Sequence, residues 1–168
     1  MPEDEVIQRA HEDAAEGKSP STQAGEFVRE EIEHVREGKH GARSVKQAIA
    51  IGLSKARRAG VKLLAPRRGS QSRKVRAQAA RDLRKGRHPR RKVSRTRSRA
   101  IERALKREST STASRSALAR RARSSARRRG PAARHRSAER AVHTKGKRGL
   151  HLAAVKAART RQRHRRAA

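Results

Sequence analysis

The stretch SVKQAIAIGLSKARRAG, Ser44 to Gly60, decides the fold. Its apolar residues recur every three or four positions, which is the repeat of one face of an α-helix. Ser44 and Gln47 have the spacing of a capping box, in which each side chain satisfies a free backbone N–H at the helix N-terminus. Gly60 supplies the left-handed residue that ends many helices, and Val61 is placed to pack back on the last turn. The stretch therefore predicts one helix that ends just before Gly60.

A second apolar stripe precedes this helix. It predicts a helix that starts near Ser21 or Thr22 and ends before Gly38, because its apolar residues also follow the helical repeat. The two stripes together predict a helical hairpin over residues 20–64. The expected hairpin core consists of Phe27, Val28, Ile32, Val35, Val45, Ile49 and Leu53.

Charge is divided very unevenly along the chain. The 168 residues include 48 Lys and Arg against 15 Asp and Glu, for a net charge of +33. Residues 1–41 hold 11 of the acidic residues and only 5 basic ones, whereas residues 42–168 hold 43 basic and 4 acidic residues. Such asymmetry predicts an acidic N-terminal part and a basic arm that binds nucleic acid.

Beyond Pro66 the sequence is of low complexity and rich in Arg, Ala and Ser. Short helices are predicted at 71–85, 94–108, 114–129, 131–144 and 150–165. Like charges four residues apart disfavour free helices, so we expect this tail to be largely disordered or loosely helical. The predicted fold is all-α. It has an acidic helix within 1–18, the hairpin module within 19–65 and the basic tail over 66–168.

The tail carries the functional prediction. Residues 66–168 contain 37 basic and 4 acidic residues, enough to neutralise roughly 17 base pairs of duplex DNA. Phe27 is the only aromatic residue, so stacking on single strands is not expected. We expect salt-sensitive, sequence-nonspecific binding and compaction of duplex DNA. The predicted contacts are Lys55, Arg57, Arg58, Arg67, Arg68, Arg90, Arg91, Lys92, Arg95, Arg97, Arg99, Arg120, Arg121, Arg127, Arg128 and Arg129.

Three alternatives to this prediction stay open. A basic tail does not distinguish DNA from RNA, so an RNA- or ribosome-associated factor is the first. The second is that the hairpin acts as a helix-turn-helix, which would present four polar side chains to DNA: Lys46, Gln47, Lys55 and Arg57. The third is a protein-interaction module that uses the hairpin. Gly38-Lys39-His40-Gly41 also resembles the Gly-x-x-Gly loop of KH domains, but that fold needs strands that the sequence does not predict.

No enzyme, cofactor site or metal site is predicted. The chain has no cysteine, its eight histidines lack metal-ligand spacing, and it contains no glycine-rich phosphate loop. We expect no membrane segment, no secretory signal and no small-molecule substrate. A homodimer through the apolar stripes of the hairpin is expected, because about 60 residues with one Phe rarely form a stable core alone.

The residues SPSTQAGEFVREEIEHVREGKHGARSVKQAIAIGLSKARRAGVKL resemble a family of small basic bacterial proteins of unknown function. Lys46 to Gly60 is the most specific part, and versions of it occur in phage proteins. Some relatives are labelled plasmid stabilization proteins, so a plasmid-maintenance or phage-type role is a form of the third alternative. The resemblance covers roughly residues 1–86, whereas the remainder resembles the basic tails of bacterial histone H1-like proteins. The resemblance implies a short helical module in a bacterial, cytoplasmic setting, and it implies no catalytic residues. The prediction of DNA compaction adds an expected association with the nucleoid.

Overall fold

The computed structural model describes residues 3–87 and 94–166. Within these ranges the regular structure is helical and contains no strand, which confirms the all-α prediction. The helices are α1 (Asp4–Ala15), α2 (Pro20–Arg36), α3 (Val45–Arg58), α4 (Arg73–Arg87), α5 (Arg95–Lys106) and α6 (Arg115–Arg166), with a 3-10 turn at Ser111–Ala113.

The start of α2 lies slightly earlier than predicted. Ser19 is the N-cap, and its hydroxyl accepts a hydrogen bond from the backbone N–H of Thr22 at 3.4 Å. Pro20 occupies the first helical position, where its missing N–H leaves no hydrogen bond unmade. The helix therefore begins at Pro20 rather than near Ser21 or Thr22.

The predicted cap of α3 is half right. The Ser44 hydroxyl accepts from the N–H of Gln47 at 3.2 Å, but the Gln47 side chain accepts from the N–H of Arg43 at 2.8 Å. The C-terminal prediction is confirmed, because Gly60 has a φ of 102°. Val61 is buried, and its N–H donates to the carbonyl of Ala56 at 3.1 Å. Both ends of α3 are thus fixed by local hydrogen bonds.

The core consists mainly of small side chains. Phe27 and Val35 are fully buried as predicted, whereas the other five predicted core residues, Val28, Ile32, Val45, Ile49 and Leu53, are only half-buried. The contact line is instead filled by Ala24, Ala48, Gly52 and Ala56. Small residues let helices approach closely, and the larger aliphatic residues then lie beside the contact line. The helical repeat identifies the apolar stripe but not which of its members face the neighbouring helix, so the small residues of the contact line were not among the predicted core residues.

The first helix completes this core. Val6 and Ala10 of α1 are buried in the cluster that contains Phe27, Ala56 and Val61. The apolar stripe of the hairpin is therefore covered by a helix of its own chain. The homodimer stays a prediction, but that part of the stripe is not an open surface.

Packing continues past residue 65. Asp82 of α4 is buried against α3, and the N–H of Gly41 donates to the carbonyl of Leu105 at 2.9 Å. A second core cluster joins Val35 and Ala48 to Ala113. The chain has two compact units, Met1–Ala119 and Arg120–Ala168.

The tail is helical, and the prediction of a largely disordered tail was wrong. α6 is interrupted by non-helical backbone at Gly130 and Gly146, so it consists of helical segments 115–129, 131–145 and 147–166. These segments overlap the short helices predicted at 114–129, 131–144 and 150–165. Ala and Arg are strong helix formers, and their summed propensity outweighs the like-charge repulsion over segments of this length. None of the described residues 120–166 is buried.

Candidate functional site

The basic side chains of residues 94–166 lie almost entirely on the surface. This range contains 25 Lys and Arg residues, and 24 of them are exposed, with Arg121 half-buried. Only three acidic residues accompany them: Glu102, Glu108 and Glu139. Each of the three lies within ion-pair distance of a basic side chain or a histidine. The exposed surface of this range is therefore strongly positive.

One face of α6 concentrates guanidinium groups. Arg120, Arg123, Arg127 and Arg128 line one shallow groove together with Ser124. Arg120, Arg123 and Arg127 follow one another at steps of three and four residues, so their side chains lie on neighbouring turns of one face. Arg128 follows Ser124 by four residues and lies at the edge of that face. Guanidinium groups bind phosphate oxygens bidentately, and this face is the densest candidate for such contacts.

The other predicted contacts of the tail that the structure describes are exposed except for Arg121, which is half-buried. Arg67 and Arg68 lie in the turn before α4, and three more lie in the first turns of α5. Those three are Arg95, Arg97 and Arg99. Arg129 ends the first segment of α6 and is exposed as well. The predicted contacts Arg90, Arg91 and Lys92 lie outside the described residues.

The three predicted contacts in the hairpin have polar partners within the fold, although Arg58 is exposed. The Lys55 ammonium lies 3.2 Å from Glu30 and 2.8 Å from Glu31, and its side chain is 19% exposed. Arg58 Nε donates to Asp82 at 2.8 Å. These side chains therefore have acidic partners within the chain.

Arg57 is the most deeply buried of the three. Its Nε donates to the carbonyl of Leu63 at 3.0 Å, and its terminal nitrogens lie 3.4 Å from the carbonyl of Leu53 and 3.5 Å from that of Leu64. Burial lowers the pKa of the Arg57 guanidinium, with a small opposing contribution from the charge of Asp82. Arg57 thus fixes the chain that leaves α3. Of the four side chains that the helix-turn-helix alternative presents, Arg57, Lys55 and Gln47 are engaged within the fold.

A cluster of carboxylates and imidazoles lies between α2 and the loop that follows it. Glu31, His34 and His40 each contribute a side-chain oxygen or nitrogen, and these atoms lie within 4.8 Å of one another. Glu31 is fully buried, and its Oε1 is 3.3 Å from His40 Nε2. The His40 and His34 rings are half-buried and meet edge to face. The cluster joins a helix to a loop.

The exposed edge of this cluster holds Glu3. Its Oε1 is 3.1 Å from His34 Nε2 and 3.3 Å from the Lys39 ammonium. The hydrogen bond with His34 makes the largest contribution to the lowered pKa of Glu3, and the hydrogen bond with Lys39 lowers it further. The hydrogen bond to Glu37 makes the largest contribution to the raised pKa of Lys39, and the hydrogen bond to Glu3 raises it further. The Glu3 carboxylate therefore helps to hold α1 against the end of α2.

Asp82 and the cluster of Glu31, His34 and His40 were not predicted from the sequence. Glu31 and His34 have the Glu-x-x-His spacing that places a carboxylate and an imidazole on one helix face, a pattern also used in di-iron helical bundles. That spacing was the available signal. Nothing local marks the distant partners of these residues, because His40 meets Glu31 nine residues away and Asp82 meets Ser54 and Arg58 of another helix.

The Gly38–Gly41 loop is packed by its own chain. Gly41 is buried against the backbone of Glu108, and the N–H of Ala42 donates to the carbonyl of Ser109 at 3.0 Å. Without strands in residues 3–87 and 94–166, the KH-type interpretation has no structural support.

None of the helices that the structure describes is both long enough and apolar enough to cross a membrane.

Comparison with known proteins finds a match only over the hairpin. No curated protein and no solved structure matches the chain at a significant level. Residues 17–68, which hold α2, α3 and the chain leaving α3, match the model of a family of unknown function (DUF6496).

Proposed function

We propose that this protein binds duplex DNA without sequence preference and compacts it, through the basic side chains of residues 94–166. The observation that carries the proposal is the exposure of 24 of the 25 Lys and Arg side chains in that range. Phosphate contacts of this kind supply most of the affinity of nonspecific DNA binding.

The shortage of acidic partners supports the same proposal. The charge of 25 basic side chains is opposed by only three carboxylates in residues 94–166. Most of these cations therefore repel one another until a polyanion neutralises them. The excess of Arg, 36 against 12 Lys in the whole chain, favours bidentate phosphate binding.

The hairpin supports a scaffolding role more than a reading role. Lys55, Arg57 and Arg58 have partners inside the fold, and base readout requires free polar side chains at the start of a recognition helix. Lys46 is exposed, but the Gln47 side chain already binds the backbone of Arg43. Sequence preference is therefore not part of the proposal.

A salt series with two chain lengths tests the proposal. Residues 120–168 contain 18 basic residues and one acidic residue, and none of the described ones is buried. A chain that ends at Ala119 therefore keeps the packed hairpin intact. We expect the full chain to bind duplex DNA with a steep dependence of log K on log salt. The shortened chain should lose about 70% of that slope, because 18 of the 25 basic residues of 94–166 are removed.

Two outcomes would contradict the proposal. If both chains bound DNA with equal affinity and an equal salt slope, residues 120–168 would not contact DNA. Strong preference for one DNA sequence would assign binding to the hairpin. Competition with duplex RNA completes the experiment, because preference for RNA would favour the RNA-associated alternative. Light scattering of long DNA at low protein concentration measures compaction directly.

A further inference from the structure

We propose that Glu31, His34 and His40 form a binding site for a divalent transition-metal ion, with Zn²⁺ as the best match. The site lies between α2 and the loop at 37–43, and it is independent of the proposed nucleic-acid binding. Two imidazole nitrogens and a carboxylate oxygen form a ligand set that zinc accepts, with one tetrahedral position left for water.

The buried carboxylate of Glu31 lacks hydrogen-bond partners in the described part of the chain, which favours a bound cation. Its side chain is fully buried, and neither of its carboxylate oxygens accepts a hydrogen bond of good geometry among the described residues. The Lys55 ammonium approaches only Oε2, at 2.8 Å. Oε1 instead faces the histidine side of the cluster. A buried carboxylate oxygen without a hydrogen-bond donor is costly, so a cation is expected beside it.

The His40 ring is oriented by a backbone carbonyl, as metal-binding histidines usually are. Its Nδ1 is 3.1 Å from the carbonyl oxygen of Gly41, and a carbonyl only accepts, so Nδ1 carries the proton of the neutral ring. Nε2 then presents a lone pair toward Glu31 Oε1 at 3.3 Å. A backbone carbonyl that fixes the far nitrogen is the usual support of a metal-binding histidine.

The third argument is the spacing of these two atoms. Ligand atoms at about 2.0–2.2 Å from a tetrahedral zinc ion are about 3.4 Å from each other. The Glu31–His40 separation of 3.3 Å matches that edge. The ligating atom of His34 lies within 4.8 Å of the other two, so a small movement of the His34 side chain would bring it to the third ligand position.

A neighbouring group fits an ion less well. Glu3, Glu30 and His34 also lie within 4.8 Å of one another. However, Glu30 Oε1 accepts from the backbone N–H of Glu3 at 2.6 Å, and its Oε2 is 3.2 Å from the Lys55 ammonium. Both oxygens of Glu30 are therefore engaged, whereas Glu31 Oε1 is not.

The experiment measures zinc binding to the full chain after chelator treatment, in the absence of nucleic acid. A chromophoric chelator that competes for Zn²⁺ reports affinity, and Co²⁺ absorption reports tetrahedral geometry. The variants are His34→Ala/His40→Ala and, to preserve side-chain volume, Glu31→Gln. The matched control is His11→Ala/His143→Ala, which removes two exposed histidines.

We expect the unchanged chain and the control to bind one Zn²⁺ with a rise in Tm. The His34/His40 variant should bind at least about tenfold more weakly, and its Tm should not respond to zinc. Far-UV circular dichroism checks that each variant is folded. If the double variant is unfolded, Glu31→Gln and His40→Gln carry the comparison. Equal affinity of the unchanged chain and these variants, or no zinc-dependent rise in Tm of the unchanged chain, would overturn the proposal and leave a protonated His40 paired with Glu31.

Discussion

Ser54 on α3 donates its hydroxyl hydrogen to Oδ2 of Asp82 on α4 at 2.8 Å, and the Asp82 side chain is 1% exposed. The other oxygen of Asp82 accepts from Arg58 Nε at 2.8 Å and from Gln78 Nε2 at 3.0 Å. Ser54 and Arg58 therefore link this carboxylate of α4 to the hairpin, and Gln78 supports it from within α4.

Replacing Asp82 by Ala should lower the free energy of unfolding by about 2 kcal/mol, because the hydrogen bonds to a charged acceptor are lost and partners are left unpaired. Urea unfolding followed by circular dichroism measures the change. Glu102→Ala is the control, since it removes the same charge from an exposed i,i+4 pair with Lys106 and should cost at most about 0.5 kcal/mol. Similar losses in both variants would contradict the structural role of Asp82.

Two helical glycines should respond in opposite directions to alanine. A Cβ on Gly52 would lie 2.7 Å from the Cα of Val28, so Gly52→Ala must separate α2 and α3. We expect a loss of about 1–3 kcal/mol in unfolding free energy. A Cβ on Gly25 meets nothing within 4 Å, so Gly25→Ala should gain about 0.5–1 kcal/mol from helix propensity. Thermal melting of the two variants side by side gives the sign, and equal signs would refute the close approach at Gly52.

Arg57 should behave as a structural residue. Arg57→Met removes the donors to the carbonyls after α3, so the free energy of unfolding should fall by about 1–3 kcal/mol. Affinity for duplex DNA, measured at a temperature where the variant is folded, should stay unchanged because the guanidinium is buried. A normal stability with weakened DNA binding would return Arg57 to the list of phosphate contacts.

The arginine cluster at 127–129 should contribute to the salt dependence of DNA binding. Arg127→Gln/Arg128→Gln/Arg129→Gln should weaken binding to all sequences alike and reduce the salt slope by up to about 2.7. The charge-matched control is Arg9→Gln/Lys18→Gln/Lys39→Gln, whose side chains already have acidic partners. Fluorescence anisotropy over a salt series compares the two. Equal effects would mean that only total charge matters.

DNA should also stabilise the tail helices. Like charges at three- and four-residue spacing oppose the helices of residues 115–166, and phosphates would relieve that repulsion. We expect duplex DNA to raise the melting temperature of the helical signal in the full chain. The chain that ends at Ala119 should show a smaller rise. No rise in the full chain would indicate that DNA does not contact the helical tail.

Local signals in the sequence predicted the helices well. Contacts between residues that are distant in the chain could not be predicted from such signals. The Ser44 cap and the Gly60 stop depend on neighbours within a few residues, so their sequence patterns are readable. The covering of Gly41 by Glu108 joins positions far apart in the chain, and no local pattern encodes it. The tail was misjudged for a different reason, because charge repulsion was weighted above the helix propensity of Ala and Arg.

The absence of buried residues from the described part of 120–166 has a consequence for sequence change. Where no side chain is packed, exchanges among Ala, Ser, Lys and Arg alter no internal fit, and selection can act only on charge density and helix propensity. The contact line through Ala24, Gly52 and Ala56 allows no such freedom. Over time the two parts of the chain should diverge at very different rates, so that relatives align through the hairpin while their tails agree only in composition.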